Sequence, residues 1–185
     1  MVGGAEEIAA GEFAGVPDAF QRLWTPHRMV YIGGAGKPAS DAEHHCPFCE
    51  IAKAPDEAGL VIARGELVYA VLNLYPYNPG HLMAVPYRHI ADYTELTAAE
   101  SAELSLFVQR AMTALRAAAR PQGFNIGINQ GAVGGAGIAA HLHEHVVPRW
   151  GGDMNFMPIV GQTRVLPQLL SDTRDILAGA WAALD

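Results

Sequence analysis

The chain has 185 residues, half of them apolar, and a formal net charge of −7. This points to one globular domain with extensions and a substantial core. The acidic balance argues against broad electrostatic binding to nucleic acid, and any anionic ligand must be held by locally placed donors. The opening MVGGAEEIAAGEF has no basic n-region and no apolar h-region, and no later run approaches the roughly 18 apolar residues that span a bilayer. A cytoplasmic location without a membrane partner is the expectation.

Residues 1–43 read as a Gly- and Ala-rich arm, with a short helix at PDAFQRLW and a loop at GGAGKPAS. Two β-rich runs follow, around residues 67–74 and 81–86, separated by the turn residues Pro76, Asn78, Pro79 and Gly80; they read as a hairpin. Thr97 and Glu100 form a capping box, after which Leu104, Phe107, Val108, Ala111 and Leu115 recur at helical spacing until Pro121 and Gly123. A strand at FNIGINQ and the loop GAVGGAGIAA precede a histidine-rich strand, and Leu169, Leu170, Thr173, Ile176, Leu177 and Trp181 mark a final amphipathic helix. Runs of strands around one long helix favour an antiparallel α+β domain over a doubly wound one. The expected divisions are an arm over 1–43, a domain over 44–160 and a helical extension over 161–185.

AHLHEHVVPRW, residues 140–150, places His141, His143 and His145 at alternate positions, three of the chain's eight histidines. On a β-strand all three rings share one face, with Cα atoms about 6.6 Å apart, close enough for neighbouring rings to meet on one metal ion or one phosphate. A catalytic metal site would call for nearby water-activating carboxylates, yet Glu144 points to the opposite face. Cys46-Pro-Phe-Cys49 has three readings in a reducing compartment: a redox pair, half of a zinc site completed by histidines, or two small apolar residues in a core. Arg149 and Trp150 can neutralise a phosphate and stack on adenine, or serve as a surface arginine and a structural tryptophan. An isolated Asn73 or Asn129 is more often a turn or cap residue than a ligand, and a glycine loop can be a plain connection.

HLHEHVV resembles the signature of the histidine triad (HIT) superfamily of nucleotidyl hydrolases and transferases. CPFCEI, NPGHLMAVPYRHI, NIGINQGAVGGAG and PRWGGD fall in the same order as in that family, so the resemblance covers roughly residues 44–153. Within that superfamily the chain looks most like the actinobacterial diadenosine tetraphosphate phosphorylases. The resemblance implies a HIT-like sheet of about five antiparallel strands with a long helix. It casts His143 as the nucleophile that attacks a nucleotide α-phosphorus and His145 as a donor to phosphate oxygens. Backbone amides of the 131–137 loop, Gly135 and Gly137 among them, would stabilise charge, with Asn73 on a ribose hydroxyl and Asn129 beside the scissile phosphate. In zinc-bearing branches the matching metal ligands are Cys46, Cys49, His89 and His141, holding a closed structural ion.

Three departures bear on this expectation. Glu144 stands where the family has an apolar residue, and a buried unpaired carboxylate is costly, so it should meet solvent, an arginine or a subunit neighbour. Gly137, Ile138 and Ala139 replace a polar phosphate-contacting segment, which leaves backbone or Gln130 donors to substitute. His145 is retained where some phosphorylases carry Gln, which by itself favours hydrolysis. The implied activity is phosphorolysis of diadenosine tetraphosphate by inorganic phosphate to ADP and ATP. Hydrolysis of dinucleoside polyphosphates or nucleoside phosphoramidates is the alternative within the same chemistry, and a nucleotide-binding regulatory protein the alternative outside it. The resemblance further implies a homodimer or homotetramer.

Overall fold

A computed structural model describes residues 46–153 and 168–184. The expected arm, its short helix and the GGAGKPAS loop lie outside the described residues, as does the boundary at residues 160–161. In chain order the elements are α1 (Pro47–Lys53), α2 (Asp56–Gly59), β1 (Val61–Arg64), β2 (Val68–Leu72), β3 (Leu82–Pro86), a 3-10 turn (Tyr93–Glu95), α3 (Ala98–Ala119), β4 (Gly123–Ile128), β5 (Glu144–Arg149) and α4 (Leu170–Ala182). The strands form one antiparallel sheet in the order β1-β2-β3-β5-β4, the α+β class expected. No described helix is long and apolar enough to cross a membrane.

Strand alternation divides the core into two layers. Val68, Ala70, Leu72, Leu82, Ala84 and Val146 face α3 and α4, where they meet Leu104, Phe107, Ala111 and Leu115. Burying each of the large apolar chains contributes about 1.5–3 kcal/mol. The opposite face carries Tyr69, Val71, Met83 and Val85, packed against Cys46, Phe48 and Cys49 of the α1 segment. The Tyr69 hydroxyl donates to Phe48 O at 2.7 Å, which ties α1 to that face.

The capping box on α3 forms as its sequence dictates: Thr97 Oγ1 accepts from the Glu100 amide at 3.2 Å and Glu100 Oε2 accepts from the Thr97 amide at 2.8 Å. Glu100 is also paired with Arg88 at 2.8 Å, so its buried carboxylate is doubly satisfied. The C-terminal helix is part of the same core: Leu177 and Trp181 join the main cluster, and the Trp181 ring lies 5.2 Å from that of Phe107. Arg174 donates to Val61 O at 2.8 Å and so occupies a backbone acceptor of β1, an edge strand.

The histidine strand differs from its expectation. β5 begins only at Glu144, so His141 and His143 precede it instead of sharing its face with His145. The ladder with β3 ends at Ala84↔Glu144, and the preceding segment turns to the chain that follows β3, with Leu142 N–H donating to Ile90 O at 2.7 Å. Glu144 does lie on the face opposite His145, half-buried, with Ala84 and Ile128 as its cross-strand neighbours. Burial raises its carboxyl pKa, and among the described residues it has no ion-pair partner.

Candidate active site

The three histidines divide between two adjoining centres. His141 turns to the α1 segment, where Cys46 Sγ lies 3.3 Å and Cys49 Sγ 3.5 Å from its Nδ1, and Cys49 Sγ lies 3.4 Å from His89 Nδ1. The four ligand atoms fall within 4.8 Å of one another. A tetrahedral ion with bonds of about 2.3 Å to sulfur and 2.0 Å to nitrogen separates such donors by about 3.5 Å, so the spacing and the donor set fit zinc. His141 Nε2 donates to Pro86 O at 2.9 Å, which fixes the tautomer that presents an unprotonated Nδ1 to the cluster. Cys46, Cys49, His89 and His141 thus form a Cys2His2 cluster able to hold a metal ion.

His143 and His145 occupy the second centre, rings 4.9 Å apart and nearly perpendicular, with the buried Phe48 ring 4.9 Å from His143. His143 Nδ1 lies 2.8 Å from the carbonyl oxygen of His141. A carbonyl only accepts, so Nδ1 carries the proton and Nε2 a free lone pair. Burial lowers the pKa of His143, which keeps the ring neutral and nucleophilic. For His145 the lowering reaches about 4, again through burial first and the neighbouring His143 second.

His81, absent from the residues that the family resemblance singles out, is fully buried with Nε2 2.9 Å from His145 Nδ1. Its other nitrogen receives the Tyr77 amide at 3.1 Å and approaches the Asn73 carboxamide at 3.4 Å. Nδ1 is therefore an acceptor, Nε2 carries the proton and donates it to His145 Nδ1, and His145 must hold its own proton on Nε2. The outcome is an ordered pair: a lone pair on His143 Nε2 and a donor on His145 Nε2. Tyr77 covers the pair, its ring 4.7 Å from His81 and 6.1 Å from His145. The sequence signal was NPGH, where Gly80 at φ +79 makes the turn that delivers His81 to the start of β3. What it lacked was the pairing of β3 beside β5.

The other predicted residues are placed as follows. The Asn129 amide nitrogen lies 3.5 Å from His145 Nε2; with the proton on Nε2 two donors face the same space, so this is a contact and not a hydrogen bond. Asn73 accepts the Tyr75 amide at 2.9 Å in an Asx-type turn beside His81. Gln130 follows Asn129, but its Oε1 accepts from the Tyr93 amide at 3.1 Å. Within the glycine loop the Gly135 amide is bonded to Ala132 O at 3.1 Å and that of Ala136 to Gly131 O at 3.2 Å, so the Gly135 N–H is committed inside the loop; Gly137 is half-buried beyond it. Arg149 is not brought to the histidines: it grips Asp153 at 2.6 and 3.0 Å and Asn125 at 2.7 Å. Asp153 in turn binds Asn78 at 2.7 Å, and Asn78 O accepts the His81 amide at 3.0 Å, so Arg149 braces the turn that carries His81. Trp150 Nε1 donates to Ala119 O at 3.3 Å, at the end of α3.

Residues 55–152 match the HIT domain. The chain belongs to the HIT family. It is 56% identical over 171 residues to an AP-4-A phosphorylase of Mycobacterium tuberculosis, covering 91% of this chain and 88% of that protein. It is also 30% identical over 95 residues to the asymmetrical bis(5'-nucleosyl)-tetraphosphatase of Schizosaccharomyces pombe, over 51% of this chain and 52% of that one. Among solved structures, a Zn-bound histidine triad family protein of Mycobacterium smegmatis superposes with a TM-score of 0.63 at 28% identity, over 78% of this chain and 98% of that one.

Proposed function

We propose that this protein is a nucleotidyltransferase that cleaves diadenosine tetraphosphate by phosphorolysis, giving ADP and ATP. The observation that carries the chemistry is the bond from His143 Nδ1 to the His141 carbonyl at 2.8 Å, which leaves Nε2 as the nucleophile. Nε2 attacks an α-phosphorus, the bond to the bridging oxygen breaks, and ATP departs. The adenylylated ring carries positive charge, which the His141 carbonyl stabilises. Inorganic phosphate then attacks the same phosphorus, the P–N bond breaks, ADP leaves and His143 recovers its lone pair. His145, neutral, donates from Nε2 to phosphate oxygens; it hydrogen-bonds and does not give up its proton.

Asn73 serves a ribose hydroxyl and Asn129 the scissile phosphate, while free amides of the 131–137 loop meet the polyphosphate charge. Arg149 and Trp150 sit four and five positions beyond His145, about 13 and about 17 Å along an extended chain, and their internal bonds support a scaffold role. The Cys2His2 cluster is assigned structural zinc, which when bound holds α1, His89 and the His141 carbonyl in place. Two reduced cysteines suit a cytoplasmic setting. The β4 edge, with Ile126 44% exposed, supports self-association as a homodimer or homotetramer.

The phosphorylase reading is preferred to hydrolysis by the 56% identity to a protein named for phosphorolysis; His145 and the Schizosaccharomyces relative favour water as the acceptor. Isotopically labelled phosphate decides: label in ADP supports phosphorolysis, and AMP plus ATP overturns it. His143→Ala is expected to abolish turnover while dinucleotide binding survives. Turnover retained in that variant removes the covalent mechanism, and the regulatory-protein alternative requires its biological activity to persist.

A further inference from the structure

Gln130 stands between the site and a piece of the fold with no catalytic part in the mechanism above. Its carboxamide is held by the turn that precedes α3. Oε1 accepts the Tyr93 amide at 3.1 Å. That turn is itself rigid: Asp92 accepts from the Thr94 amide and hydroxyl, each at 2.8 Å, and Glu95 closes a capping box onto the Asp92 amide. Arg88 holds it from the other side through Glu95 O. The main chain of Gln130 meanwhile forms the floor of the glycine loop. A side chain at Gly134 would collide with the Gln130 carbonyl, and the loop closes over this point through the Gly135 and Ala136 bonds. One residue earlier, Asn129 touches His145.

We infer that Gln130 is a positioning residue: it latches the Asn129–Gly137 segment to the Asp92–Glu95 turn and thereby sets Asn129 and the loop against His143 and His145. This rests on the proposed reading for what the loop binds, whereas the latch itself is a property of the free protein. The bond is a single donor meeting a single acceptor. Gln130→Met keeps the length of the side chain and removes the acceptor. Tyr93→Pro removes the donor at the first position of its 3-10 turn, where the fixed φ of proline is accommodated. Either change opens the latch, and the second then adds nothing.

The test is a double-variant cycle on the full chain with two readouts. Hydrogen exchange in substrate-free protein follows the Gly135 and Ala136 amides. Steady-state turnover of diadenosine tetraphosphate with phosphate follows kcat and KM. The single variants are expected to exchange those amides faster and to lose roughly tenfold in kcat/KM, mostly in kcat, because misplacement of groups at the reacting centre acts on the transition state. The double variant is expected to match the single ones within about threefold, because both changes remove the same bond. Unchanged exchange or unchanged turnover in the single variants overturns the assignment, as does a double variant in which the two losses multiply. A parent protein without turnover overturns the phosphorylase reading instead, and the exchange pattern then still decides the latch.

Discussion

His81→Phe tests the ordered pair of imidazoles at its origin. Phenylalanine keeps a planar ring, somewhat larger, but offers no nitrogen, so the buried His145 Nδ1 and the part-buried Tyr77 amide each lose this partner. Stranding one buried group costs about 1–3 kcal/mol, which puts the combined loss near 3 kcal/mol and lowers Tm by about 6–12 °C for a chain of this size. The second effect falls on the tautomer. With no donor at Nδ1, His145 is no longer held with its proton on Nε2, and the ring that replaces a donor with a lone pair repels a phosphate oxygen. If the lost hydrogen bond favours the productive tautomer by about 1–2 kcal/mol, kcat falls by roughly 5- to 30-fold. Turnover at a temperature where the variant is fully folded measures this, and nitrogen chemical shifts of the His145 ring report the tautomer directly. A folded variant with parental kcat, or with its Nε2 proton still in place, would show that His81 does not order His145.

Acid titration gives a second check. Burial lowers His145 from 6.5 to about 4, so the unfolded chain takes up this proton near pH 6.5 and the folded chain only near pH 4. Its stabilising contribution is complete above pH 6.5 and is lost as pH falls towards 4, with a ceiling of roughly 3 kcal/mol; denaturant midpoints across that window should fall less steeply in His145→Gln. Trp181→Ala, which empties a place in the main core beside Phe107, should cost about 3–5 kcal/mol while leaving kcat below the melting range unchanged, since no contact joins it to the histidines. Elemental analysis of the parent should find about one zinc per chain, four protein ligands being the closed structural set. Cys46→Ser should weaken retention beyond the ~10–100-fold that loss of an outer-shell partner costs, with a lower Tm; equal metal content in both proteins would remove Cys46 from the ligand set.

The local chain legislated what depends on local pattern. Thr97 and Glu100 set the start of α3, and its apolar spacing chose the buried face, because helix capping and amphipathicity act within a turn or two. The ordered motifs HLHEHVV, CPFCEI and NPGHLMAVPYRHI named the family and all four members of the metal cluster before any of them was placed in space. Shorter elements escaped: α1 and β1 span seven and four residues, too little for a period to register, and they form because they pack on the sheet. Tertiary structure alone decided which groups converge. It parted His141 from the pair, since the β3–β5 ladder stops at Glu144. It also engaged Arg149 and Gln130 in bonds to distant parts of the chain, which local pattern does not carry. The role of His81 is the plainest instance. Its proton matters because strand pairing sets it 2.9 Å from a ring 64 positions away, and a hydrogen bond has meaning only once that distance is closed.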